Sequence, residues 1–125
     1  MEVNNDNPVC IHSLIELIKK MRFDITNEKD VQAQLEQKLI EKKYEFEREC
    51  ILDEDKKNIP DFMVGNICIE VKIKGGALDI FRQLQRYTGF DRVETIILLT
   101  NRNIVLPSKI NDKNAYQINI GAGWL

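Results

Sequence analysis

The sequence predicts an α/β domain: a mixed sheet of four to five strands with helices on its faces. Three observations carry this. Residues 58–74, NIPDFMVGNICIEVKIK, read as two short strands around Gly65-Asn66, because Gly and Asn tolerate positive φ in a two-residue hairpin turn. Residues 77–90 carry helical spacing and lead into ETIILLT at 94–100, a continuous apolar run of the kind buried on both faces. A strand, a crossover helix and a second strand make a parallel pair.

Taken in order, residues 9–21 form a first helix, with Ile11, Leu14, Ile15 and Ile18 on one stripe. A second helix starts at Thr26 or Asn27, either of which can cap it, and runs to about Lys43 with Val31, Leu35 and Leu39 inward. Gln32 and Glu36 occupy the next stripe. From Tyr44 to Leu52, Tyr44, Phe46, Arg48 and Cys50 alternate with glutamates as a strand does, although YEFERE could also extend the helix. The hairpin follows a polar turn at 53–58. Gly75-Gly76 ends it, and Ala77, Ile80, Phe81, Leu84 and Tyr87 or Thr88 face inward from the next helix. Pro107 marks a loop or short helix. Tyr116–Ile120 is a last strand, and Trp124 reads as a hydrophobic anchor.

At 125 residues the chain suits one domain (1–125), with 43% hydrophobic and 30% charged residues, as in soluble globular proteins. No apolar run is long enough to span a membrane, and no basic region precedes the first apolar residues as in a secretory signal. Three widely spaced cysteines without a C-x-x-C pair argue against zinc or an iron–sulfur cluster and suit a reducing cytoplasm. With His12 as the lone histidine, His-based catalysis has little to work with. No phosphate-cradle motif surrounds Gly75-Gly76, and no organic cofactor is expected. The net charge is -2, yet Lys72, Lys74, Arg82, Arg86 and Arg92 gather in the middle of the chain.

The hairpin carries the chemistry. A two-residue turn pairs Val64 with Ile67, Met63 with Cys68 and Phe62 with Ile69, and sets Asp61 opposite Glu70. Pro60, Phe62, Val64, Ile67, Ile69, Val71 and Ile73 then share the core face, and Asp61, Glu70 and Lys72 the other. Like charges opposite each other are destabilising, so the pair calls for Lys72, a cation, or both. Two carboxylates suit Mg²⁺, which keeps several waters, and Mn²⁺ should substitute. Asp61, Glu70 and the Val71 carbonyl are the candidate metal ligands. Lys72 is placed to support the attacking water and the transition-state charge.

Pro60-Asp61 … Glu70-Val71-Lys72 resembles the PD-(D/E)xK nuclease signature, and Gln83-Leu84-Gln85-Arg86-Tyr87 resembles the Q-x-x-x-Y element of its recombination-nuclease branch. The likeness covers about residues 28–100 and extends to junction resolvases and small phage or prophage members. It implies a restriction-endonuclease-like αβββαβ core, here with an extra N-terminal helix at 9–21. It further implies a Mg²⁺-dependent DNA endonuclease, with action on branched or junction DNA among its options, and a role in recombination or repair. Gln83 would act in catalysis, and Lys74, Arg82, Gln83, Arg86 and Tyr87 would contact DNA. Many relatives add an acid from the first core helix. Here Gln32 stands at that position, with Glu36 one turn on and Glu28 one turn before. Glu36 is taken as the third carboxylate, with Glu28 as the alternative. A homodimer joined through the 9–21 helix would bring two sites to two strands. The competing readings are a catalytically inactive nuclease-fold module that binds nucleic acid or a partner protein, and a small scaffold with no nucleic-acid role.

Overall fold

A computed structural model describes residues 9–121. The elements are α1 (Ile11–Lys19), α2 (Glu28–Glu41), β1 (Glu47–Arg48), β2 (Phe62–Val64), β3 (Ile67–Lys72), α3 (Ala77–Thr88), β4 (Thr95–Thr100), β5 (Lys109–Ile110) and β6 (Lys113–Asn119). The strands form one open mixed sheet in the order β1-β2-β3-β4-β6-β5. The β1, β2 and β3 strands pair antiparallel, β3, β4 and β6 parallel, and β5 antiparallel to β6.

The hairpin follows its turn chemistry. Gly65 takes a φ of 61° at the first turn position, and Val64, Met63 and Phe62 face Ile67, Cys68 and Ile69 as predicted. Side-chain alternation then sorts the sheet. One face sends Phe62, Val64, Ile67, Ile69, Val71, Ile97 and Leu99 against α1 and α2, which bring Leu14, Ile15 and Ile18, and Val31, Leu35 and Leu39. The opposite face sends Met63, Cys68, Ile96 and Leu98 against Ile80, Leu84 and Tyr87 of α3. The helix α3 is the crossover that sets β4 parallel to β3. Asn27 caps α2, its side chain accepting from the Asp30 N–H at 2.8 Å.

Several expectations need correction. The sheet has six strands rather than four or five. The missed strand, Lys109–Ile110, is too short to alternate visibly, and it joins β6 through Asn111 and Asp112, both at positive φ (53° and 64°). The last strand starts at Lys113, not Tyr116. The expected strand 44–52 shrinks to Glu47–Arg48, because Lys43 and Glu49 both take positive φ (63° and 50°). Lys43 closes α2: its N–H donates to Ile40 and that of Tyr44 to Leu39, the double bond pattern that usually has glycine at this position. Ala77 is exposed rather than inward, while both Tyr87 and Thr88 are buried. Among the described residues, the apolar stripe of α1 packs into the chain's own core through Leu14, Ile15 and Ile18. Trp124 lies outside the described residues. No helix among the described residues is long and apolar enough to cross a membrane.

Candidate functional site

The site forms where the β2–β3 ladder runs out. Ile67 and Ile69 use their backbone groups toward β2, and Val71 continues that alternation. Its partner in register would be Pro60, which has no N–H to give. The Asp61 side chain fills the gap, its Oδ2 accepting from the Val71 N–H at 2.8 Å. Glu70 answers from the opposite strand, its Oε1 accepting from the Asp61 N–H at 3.0 Å. Each carboxylate is thus tied to the other strand's backbone, and the Val71 carbonyl receives no bond from Pro60. Lys72 Nζ lies 3.3 Å from Glu70 Oε2.

The pair is expensive to ionise without a cation. Glu70 is 2% exposed. Burial first, and then the charge of Asp61, push its carboxyl up to about 8, although Lys72 pulls the other way. Asp61 is raised as well, chiefly by burial. The Val71 N–H, Lys72 and Arg48 oppose the rise, and the charge of Glu28 adds to it.

A third layer fixes the Asp61 backbone. Its carbonyl accepts from the Glu49 N–H at 2.9 Å and from Arg48 Nε at 3.3 Å. Arg48 also reaches Glu36 at 2.7 Å and the buried Gln32 Oε1 at 3.0 Å, with its guanidinium 4.7 Å from the Phe62 ring centroid. Glu36, the expected third carboxylate, is paired with Arg48. Glu28 is the α2 acid whose charge is felt at Asp61. Its Oε2 accepts from the Ile73 N–H at 2.9 Å, one residue past Lys72. Sequence reasoning missed Arg48 as a site residue. The available signal was an arginine at an inward position of an alternating run, which demands buried partners.

The helix α3 covers the pair. Tyr87 is 1% exposed, and its hydroxyl donates to the Ile59 carbonyl at 3.3 Å. Burial and the nearby Glu70 charge raise its pKa. The DNA-contact role expected of Tyr87 is thus corrected: it anchors the segment entering Asp61. Arg86 is exposed, and its Nε donates to Asn58 at 3.2 Å. A cavity of about 210 Å³ opens beside Lys72, lined also by Lys74, Gly75, Asp79, Ile80, Gln83 and Arg86. Gln83 Oε1 is buried there without a hydrogen-bond partner, an acceptor left for a ligand or a bound water. Arg82 is exposed but does not line this cavity. Asp79 is the acidic member that the sequence did not single out.

The donor set limits the cation. Among the described residues no group of three or more His, Cys, Asp or Glu side chains gathers to hold a metal. Two hard carboxylates and a backbone carbonyl do not make a zinc or all-protein calcium cage. They do fit Mg²⁺, which takes one or two carboxylates and keeps its waters. Set beside protein-family models, curated proteins and solved structures, the chain matches none of them.

Proposed function

We propose that the chain is a Mg²⁺-dependent nuclease of the restriction-endonuclease-like type, hydrolysing phosphodiester bonds of DNA. The observation that carries this reading is the Asp61–Glu70 pair, Glu70 buried and Asp61 half-buried, cross-tied at 2.8 Å and 3.0 Å, with Lys72 beside Glu70. A fold that needed only a stable hairpin would not set a half-buried carboxylate against a buried one, since like charges and burial both raise the cost of ionisation. Mn²⁺ should replace Mg²⁺.

Asp61, Glu70 and the Val71 carbonyl would hold the ion, which when bound supplies a Lewis acid for the phosphoryl oxygen and an acidified water. The chain's own groups do the positioning. Glu49 and Arg48 fix the Asp61 backbone. Lys72 Nζ, with one N–H toward Glu70, has further donors for the attacking water and for the charge that builds on the phosphate. Lys74 and Arg86 flank the cavity as phosphate contacts, and the free Oε1 of Gln83 accepts from a water in it. Arg82, exposed on the same helix, is a further contact to the DNA backbone.

The test is a cleavage screen over duplex, single-stranded and branched DNA, and RNA, with Mg²⁺ or Mn²⁺. Cutting should stop with EDTA, and Lys72→Ala should lose about a hundredfold or more. Full activity in Lys72→Ala contradicts the assigned mechanism. One observation favours a second reading, a non-cutting module that binds nucleic acid: Arg48 neutralises Glu36, so the pair lacks a third acid beyond the hydrogen-bonded Glu28. Retention of branched DNA with no cleavage under either ion selects that reading.

A further inference from the structure

A second charged feature lies away from the carboxylate pair. A cavity of about 430 Å³ between the ends of α1 and α2 is lined by Leu17, Lys20, Met21, Arg22, Lys38 and Lys42. Four of these six side chains are cationic and none is acidic. A neighbouring cavity carries the same Lys20–Arg22 segment round to Lys19 and to the end of β6. Glu41 pairs with Lys38 at 3.0 Å, and both side chains of that pair are a third or more exposed, so water screens it. Helix dipoles account for a cation at each helix end, since Lys20 and Lys42 are the C-caps of α1 and α2. They do not account for Arg22 and Lys38 converging on the same space. In a chain of net charge -2, four cations lining one cavity make a local field for a polyanion.

The helix α2 joins this cavity to the proposed nuclease site. Glu28, which bonds the backbone beside Lys72, opens the helix, and Lys38 and Lys42 close it. At 1.5 Å per residue Lys38 and Lys42 lie about 15 to 21 Å from Glu28 along the helix axis, within the roughly 34 Å of one turn of duplex DNA. Lysine-rich contacts of this kind act as point charges on phosphates and carry no base readout.

We propose that this cavity is a second contact for duplex DNA, gripping the phosphodiester backbone away from the carboxylate pair. The choice of DNA as the polyanion rests on the nuclease reading, whereas the charge cluster does not. The experiment uses the full chain carrying Asp61→Asn, so that binding is measured without cleavage, against a longer, 20-base-pair duplex and a dinucleotide over a range of salt. Adding Lys20→Gln, Lys38→Gln and Lys42→Gln should weaken binding of the longer duplex by about tenfold or more, and lower the salt slope by roughly one for each phosphate that is no longer neutralised. Binding of the dinucleotide, too short to reach a second contact, should change little, and the melting temperature should stay the same. An unchanged affinity and slope for the longer duplex overturns the proposal. So does sedimentation of the chain with anionic phospholipid vesicles without retention of duplex. Duplex bound through these lysines in the Asp61→Asn chain but never cut by the chain with Asp61 intact upholds the proposal and sinks the nuclease reading. Cutting by the chain with Asp61 intact, with no effect of the lysines on binding, does the reverse.

Discussion

Glu70 is the residue whose environment is most opposed to its charge, and this has a measurable sign. Its carboxyl is raised from 4.5 to about 8 in the fold, so the folded state binds a proton more tightly than the unfolded chain does. The stability that this contributes is whole below about pH 4.5 and is lost as pH rises through about 8. Asp61 is shifted the same way. The metal-free protein should therefore melt lower at pH 8 than at pH 5, by roughly 5 °C or more, and Glu70→Gln should remove much of that difference in a thermal scan. Gln83 offers the complementary test. Its buried Oε1 has no protein partner, so Gln83→Met should leave stability within about 1 kcal/mol in a urea titration while lowering cleavage. A larger loss of stability would mean that the amide is structural. The carboxylates and Lys72 were legible in the sequence because strand alternation and a two-residue turn fix which side chains face each other. Glu28 and Glu36 were not separable, because their choice depends on Arg48, a partner 12 residues from Glu36.

At the scale of elements, local signals worked where a special residue or a long apolar run enforced them. Gly65-Asn66 set the hairpin register, Asn27 set the start of α2, and the run at 94–100 marked the central strand. They failed where the backbone takes an unusual conformation without glycine. Lys43 and Glu49 bracket YEFERE at positive φ, and neither residue type announces it, so a nine-residue strand was read where two residues pair. Lys43 makes this testable: it holds a φ of 63° at a position that favours glycine. Lys43→Gly should stabilise the protein by about 1 kcal/mol in denaturant unfolding. Destabilisation would show that the lysine side chain contributes more than its backbone costs. The burial of Tyr87 was likewise ambiguous, since Tyr87 and Thr88 were equal candidates for the inward position on α3 and both turned out buried.

At the scale of the molecule, the sheet gathers titratable side chains at its β3 end. Two helices bury one face and α3 the other, leaving Asp61, Glu70 and Lys72 at the end of the ladder with a cavity beside them. Cations are segregated by the fold as well, with Lys72, Lys74 and Arg86 around that cavity and a second group at the ends of α1 and α2. Neither arrangement is visible in the net charge. On the proposed reading, the Asp61–Glu70 pair holds a divalent cation. Calorimetric titration of Mg²⁺ into the wild-type chain and into Asp61→Asn tests it most directly. The expected result is a saturable isotherm for the wild type that Asp61→Asn abolishes while still folding. Equal binding by both, or no binding by the wild type, would contradict it.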